Sequence, residues 1–211
     1  MALVHPYADV AANAAASLAA VKARLDITAG DTADDTKLDN VIGAVSRKID
    51  DITGRRFWQA SETRYFKAKY ADLLKVFDFT AISSLQTDDD GDGVYENTWG
   101  VGDYYFLPEN AALDLEPYTK IEANPNGLYM FPRGVRKGVK LTATFGYWAA
   151  VPEMIVEGCI LQSMRIFKRK DAIYGVQSAT DFGTINLQMV KIDDDVMAMV
   201  LPFVREVGIS S

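Results

Sequence analysis

The sequence predicts an α+β protein: a helical bundle built from N- and C-terminal helices, with an antiparallel β domain inserted between them. Three observations carry that expectation. Apolar residues recur at spacings of three and four near both ends of the chain, the period of a helix buried on one side. Through the middle, aromatic and β-branched residues alternate with polar ones, and Gly, Pro and Asn punctuate the chain about every ten to fifteen residues. The boundaries expected are 1–56 for an N-terminal arm and helices, 57–150 for the β insertion, and 151–211 for the C-terminal helices and a tail. The bundle proper is expected over 13–56 and 152–206.

Residues 1–12 read as a loose arm. Leu18, Val21 and Leu25 then outline a short amphipathic helix. Asp31 to Asp35 offers acidic N-terminal caps for a longer helix, whose apolar stripe is Leu38, Val41, Ile42, Val45, Ile49 and Ile52. Gly54 stands where a left-handed C-terminal cap is expected. From Arg56 the pattern becomes strand-like, with Phe57, Tyr65, Phe66, Tyr70, Val76, Phe77 and Phe79. Turns are marked at Gly91–Gly93, Pro108–Asn110, Asn124–Gly127 and Pro132–Gly134, and Val139 to Phe145 is a clean period-two run. Pro152 opens a third helix at its first turn, with Ile155, Val156, Cys159, Ile160 and Phe167 on its apolar face and the cations of Arg165 to Lys170 at its negative end. A linker holding Gly175 and Gly183 leads to Asp193–Asp195, which cap a last helix carrying Val196, Val200, Leu201 and Val204. Pro202 lies within that pattern and is expected to kink the helix or end it early.

Composition excludes several function classes. The chain has 211 residues, 49% of them hydrophobic, enough for a sizeable core. Its formal net charge of -7 argues against a general nucleic-acid binder, which needs a dense cationic surface. A single cysteine, Cys159, rules out an internal disulfide and suits a reducing compartment or a particle assembled inside a cell. No apolar run approaches the about 18 residues of a membrane span, and the N-terminus lacks the basic region of a secretory signal.

The stretch Asp88-Asp89-Asp90-Gly91-Asp92-Gly93-Val94-Tyr95-Glu96 is the strongest chemical signal. Asp88, Asp90, Asp92 and Gly93 fit positions 1, 3, 5 and 6 of a calcium loop, but position 12 is Trp99, which cannot ligate, and Glu96 falls at position 9. With strand-like flanks on both sides, the favoured reading is the reversal of a projecting hairpin, and a bound cation is the alternative. His5 is the one histidine, so neither a zinc site nor a Cys–His pair is expected, and Cys159 reads as a core residue. Asp103, Glu109, Asp114 and Glu116 lie among tyrosines, but nothing orders them into an acid and a base; solvated strand ends are the better reading. Arg165-Ile166-Phe167-Lys168-Arg169-Lys170 is the only cationic run, and it reads better as a helix end meeting an acidic partner surface than as a nucleic-acid site.

Several segments, in order, resemble one family. They are Leu18 to Leu25, then Asp34-Asp35 leading to Leu38, then Ile49-Asp50 closing on Thr53-Gly54-Arg55-Arg56-Phe57. Lys168 to Val176, and Asp193-Asp194-Asp195-Val196 through Leu201-Pro202-Phe203-Val204-Arg205, continue the likeness, and Asp88–Trp99 followed by Asp103–Ala111 is similar to its β insertion. Together they resemble the head–tail connector proteins of tailed bacteriophages, also called adaptors or head-completion proteins. The chain departs from that family in lacking a proline near Ile173 and in an arginine-rich ending reduced to Arg205-Glu206.

The resemblance implies a structural virion protein with no catalytic role and no cofactor. It implies a homo-oligomeric ring of twelve subunits below the portal protein, its wall made by the helices and its β block projecting. The ring would link the portal to the next neck or tail protein, with genomic DNA passing through the lumen without sequence readout and no membrane involved. The implied location is the virion neck, and the host cytoplasm during assembly. Arg165, Lys168, Arg169, Lys170, Tyr174, Phe203, Arg205, Val207 and Ile209 are the residues expected at the portal or subunit interface. The alternatives are a calcium- or carbohydrate-binding β module with helical flanks and, last, an enzyme using the β-block carboxylates.

Overall fold

Ser17 starts the first helix: its hydroxyl accepts the Ala20 N–H at 3.2 Å and caps α1, Leu18–Arg24. In the computed structural model, which describes residues 13–169 and 192–205, α2 runs Asp35–Thr53 and stops on Gly54 in the left-handed conformation, φ 62°. The acidic residues ahead of α2 do not cap it through their side chains as the sequence suggests. Asp34 pairs with Lys37 at 2.8 Å, Asp35 with Lys22 at 2.7 Å, and Asp31 accepts the Ala33 N–H at 3.2 Å. Nearby cations outbid the helix N–H groups for the Asp34 and Asp35 carboxylates, although their charge still complements the helix dipole.

α3, Glu153–Lys168, follows Pro152, and α4 spans Asp194–Val200. A 3-10 turn, Leu201–Phe203, replaces the helix at Pro202, so the early ending is realised. Once the α-helical ladder stops, its stripe no longer aims side chains inward, and Leu201 and Val204 are exposed rather than packed.

The described residues fall into two compact units. One comprises 13–54, 152–169 and 192–204; the other comprises 55–151 with Arg205. The core of the helical unit is made of Leu38, Ile42, Val45 and Ile49 from α2, Ile155, Cys159, Ile160 and Phe167 from α3, and Val21, Val196 and Val200 from α1 and α4. Its corner is fastened by Lys22, which is 5% exposed; the ammonium donates to the Ala29 and Asp31 carbonyls and to Asp35. All three of its N–H groups are therefore satisfied, which is what allows a lysine to be buried there.

The second unit is an antiparallel sheet in the order β1-β6-β2-β5-β4, with a short β3 on the end of β2. The strands are β1 Ala60–Phe66, β2 Leu73–Thr87, β3 Asn97–Thr98, β4 Tyr104–Leu107, β5 Tyr118–Ala123 and β6 Val139–Phe145. β2 is the hub. Its first half pairs with β5 and its second with β6, and Phe79 faces both Tyr118 and Phe145 across the change of partner. Register shifts on either side of Phe79 bend the strand, so that one long strand serves two neighbours. The burial alternation of β6 is unbroken, with Val139, Leu141, Ala143 and Phe145 inward. These pack with Leu74, Val76, Phe79, Leu85, Trp99, Ile121 and Phe131 into one core. The fold is therefore α+β, with the antiparallel sheet between N- and C-terminal helices in chain order, as the sequence predicts.

Candidate functional site

Of the residues expected at an interface, Lys168 and Arg169 are exposed at the end of α3 and Phe203 is half-buried. Arg165 is already engaged within the chain, holding Asp193 at 2.8 Å and Asp195 at 2.9 Å across the start of α4. The acidic surface expected to meet this helix end thus includes the chain's own next helix. Lys170, Tyr174, Val207 and Ile209 lie outside the described residues, as do His5, Gly175 and Gly183.

Arg205 is turned inward, onto the sheet. Its guanidinium donates to the Val76 carbonyl at 2.8 Å and lies 3.3 Å from Asp78, whose other oxygen is 3.0 Å from Arg55. Asp78 is 4% exposed. Two chain segments entering the sheet unit, at Arg55 and at Arg205, therefore end on one buried carboxylate. Beside them Glu62 accepts from Arg56 at 2.8 Å and from Arg64 at 2.7 Å. Arg56 lies 4.1 Å from the centre of the Trp58 ring, and Arg64 lies 4.4 Å from that of Phe145.

Burial alone would raise the Glu62 pKa, but its hydrogen bonds and charge contacts with Arg56 and Arg64 outweigh burial and hold it below the ordinary value. A depressed folded-state value gives stability that is fully present above the unfolded carboxylate pKa of about 4.3 and is lost as pH falls through the folded value. The margin of the wild type over Glu62→Gln in urea melts should thus be constant near neutrality and shrink towards zero in acid. A margin that does not change with pH would refute the ionic account.

The acidic stretch joins β2 to β3 and closes on itself. Asp88, 2% exposed, accepts the N–H groups of Gly91 at 2.6 Å and Gly93 at 2.8 Å. Asp90 accepts from Asp92 and Asp92 from Val94, while Asn97 donates to Asp89 at 2.8 Å. Gly91 and Gly93 both have positive φ, 84° and 92°, which the winding requires. The loop spans 88–96 and is longer than the tight reversal the sequence suggests, because the chain wraps around the Asp88 carboxylate before it turns back. One carboxylate oxygen each of Asp88, Asp90, Asp92 and Glu96 lies within 4.8 Å of the others, so this group could hold a metal ion. Trp99, at the twelfth position, instead belongs to the core: it stacks on Phe131 at 4.6 Å and donates to Thr87.

The fold also assembles a cationic surface that linear reading misses. Arg133, Arg136 and Lys137 precede β6, and the Ala68–Arg133 bridge brings Lys67 and Lys69 of the β1–β2 turn beside them. All five are exposed, and among the described residues none is ion-paired to a carboxylate. The run 165–170 is thus not the chain's one cationic cluster. The available signal was the acid-free stretch 131–140, but its partner turn lies more than sixty residues earlier (Lys67 to Arg133).

The candidates for catalysis are dispersed. Cys159 is fully buried, 3.5 Å from the Ser46 hydroxyl, and burial pushes its thiol pKa up, away from reactivity. Asp103 spends both carboxylate oxygens on the N–H groups of Gly100 and Leu128. β4 separates it from Glu109, Asp114 and Glu116, which lie in the loop beyond the far end of that strand.

No protein-family model matches the sequence, and no curated protein matches it. Solved structures do. The chain is similar to a chain in the neck of an empty GTA particle computed with C6 symmetry, at 17% identity and a TM-score of 0.57, over 92% of each chain. It is also similar to a chain in the neck of a native GTA particle computed with C12 symmetry, at 18% identity and a TM-score of 0.55, over 97% of this chain and 96% of that one. At such identities the likeness is one of fold, and it extends over both units.

Proposed function

We propose that this chain is a structural protein of the neck of a phage-like particle, a head–tail adaptor that forms a ring below the portal. In this reading the ring joins the portal to the next neck or tail component and lets genomic DNA pass without reading it. Assembly takes place in the host cytoplasm, and the protein ends in the virion neck. The observation that carries the reading is the whole-chain likeness to neck proteins of GTA particles solved with sixfold and twelvefold symmetry. The dispersal of candidate catalytic groups among the described residues is consistent with it.

A closed ring needs heterologous contacts, one surface of each subunit fitting a different surface of the next. Lys168, Arg169 and the exposed Leu201 and Val204 are available on the helical unit for such contacts. The interface role of Lys170, Tyr174, Phe203, Val207 and Ile209 belongs to the same proposal. Electron microscopy of the purified protein mixed with its portal should show a ring of the portal's symmetry joined to it. A mixture in which neither ring nor joint complex forms would count decisively against the adaptor reading.

A second reading, a cation-reinforced turn in the sheet unit, rests on the convergence of Asp88, Asp90, Asp92 and Glu96. It concerns local reinforcement rather than catalysis and is compatible with a neck role. Calorimetric titration with calcium separates it from a self-sufficient turn. Saturable heat that Asp90→Ala abolishes supports the cation; absence of heat in the wild type removes it.

A further inference from the structure

The strand ends of the sheet unit differ sharply in how their charges are used. At the end holding Asp78, the arginines 55, 56, 64 and 205 all bind carboxylates or carbonyls of the same unit. At the opposite end, where β1 finishes, β2 finishes and β6 begins, two charged stripes lie side by side. One is basic: Lys67, Lys69, Arg133, Arg136 and Lys137. The other is the acidic loop with Asp88, Asp89, Asp90, Asp92 and Glu96.

The two stripes are held in fixed register. The Asp88 N–H donates to the Gly138 carbonyl at 2.9 Å, and the Tyr95 hydroxyl donates to the Lys137 carbonyl at 2.9 Å. A methyl group placed on Gly91 would lie 3.4 Å from Val135. Along this boundary stand Tyr65 and Tyr95, with ring centres 6.1 Å apart. Lys137 lies 5.6 Å from the Tyr65 ring centre and Lys140 lies 5.2 Å from that of Tyr95. The boundary therefore offers aromatic anchors flanked by both signs of charge, the make-up of a protein interface.

We infer that this end of the sheet is a contact surface for a second copy of the chain, the basic stripe of each copy facing the acidic loop of the other. Charge complementarity selects that occupant. A nucleic acid drawn to the five cations would meet the four exposed carboxylates of Asp89, Asp90, Asp92 and Glu96 beside them, and its phosphates would be repelled there. A partner of one sign satisfies only one stripe. A second copy turned by a two-fold axis satisfies both at once, because an isologous contact repeats each pairing in reverse. Unlike the adaptor reading, the inference needs no ring and no portal; it concerns how free chains meet through their sheet units, because neighbouring subunits of one cyclic ring are not related by a two-fold axis.

Sedimentation of the purified full chain, with EDTA present so that no cation neutralises the loop, tests it. At about 50 mM salt the wild type is expected at twice the mass of a variant carrying R133E, R136E and K137E. At about 500 mM salt, where screening shortens the reach of exposed charges, the wild type should fall to the variant's mass. A second variant, D89K with E96K, should also show the halved mass, and mixing the two variants should restore the doubled species. Both sets are exposed turn residues, and unchanged circular-dichroism melts show that each variant is folded. Equal masses for the wild type and both folded variants at low salt overturn the proposal, whatever the outcome with the portal. So does a short DNA duplex that binds the wild type and not the basic-stripe variant while the mass stays that of one unit. That result would assign the surface to nucleic acid instead.

Discussion

Asp78→Ala is expected to destabilise the sheet unit by about 3–5 kcal/mol, the cost of breaking a buried ion pair from one side. Asp78 is 4% exposed and is the shared partner of Arg55 at 3.0 Å and Arg205 at 3.3 Å, whose side chains are 19% and 12% exposed. Removing the carboxylate leaves two guanidiniums side by side with little water to solvate them. In a chain of this size the loss should lower the melting temperature by roughly 10 °C or more. Arg205→Met should cost less, since Asp78 then keeps Arg55. Replacing all three by apolar residues of similar volume should recover much of the loss, because the desolvation penalty leaves together with the attraction. If Asp78→Ala and the triple replacement melt alike, the carboxylate is contributing packing rather than charge balance, and the account fails.

The other large effect is expected at Gly146, which ends β6. Its φ is 137°, in the region that side chains avoid, and an added Cβ would stand 2.2 Å from the Trp58 carbonyl oxygen. The contact is with backbone, so no rotamer change can relieve it. Its N–H is also fixed, donating to the Asp78 carbonyl at 2.8 Å, and the next residue, Tyr147, donates to the Arg56 carbonyl at 2.8 Å. Gly146→Ala must therefore displace the strand entry at Trp58 or break these bonds. A loss above about 4 kcal/mol is expected, visible as failure to accumulate folded protein or as a collapsed melting temperature. A contrasting control is Gly134→Ala, also at positive φ but with open space around its Cβ position, where backbone strain alone should cost about 1–2 kcal/mol. Equal losses at the two sites would show that the steric argument at Gly146 is wrong.

How much of this was legible in the sequence differs from element to element. The body and the end of α2 could be read, though not its capping, because Leu38, Ile42, Val45 and Ile49 keep helical spacing and Gly54 stops it. β6 could be read residue by residue, because a strand buried on one face alternates strictly. β2 could not. Its register shifts around Phe79 suit two different neighbours, and nothing local announces a change of partner. The acidic loop was recognisable as a turn, and Trp99 at its twelfth position packs in the core, but the convergence of four carboxylates depended on how the chain winds around Asp88. For Arg205, sequence pointed outward, towards a partner, while the fold directs it onto Asp78. Arg165, expected where a helix end meets an acidic partner surface, pairs with Asp193 and Asp195 of its own chain.

By itself, then, the sequence determined the α+β class, the order of helices and strands, the sites where helices stop, and a core large enough to fold. Each follows from periodicity and backbone preference, which act between residues close in the chain. The destination of charge was decided by tertiary structure alone. Only the folded sheet brings Lys67 and Lys69 beside Arg133, sets that basic stripe against the acidic loop, and gathers Arg55 and Arg205 on Asp78. Charges act through space, and the spacing of charged residues along a chain carries no record of which distant strand will deliver the partner.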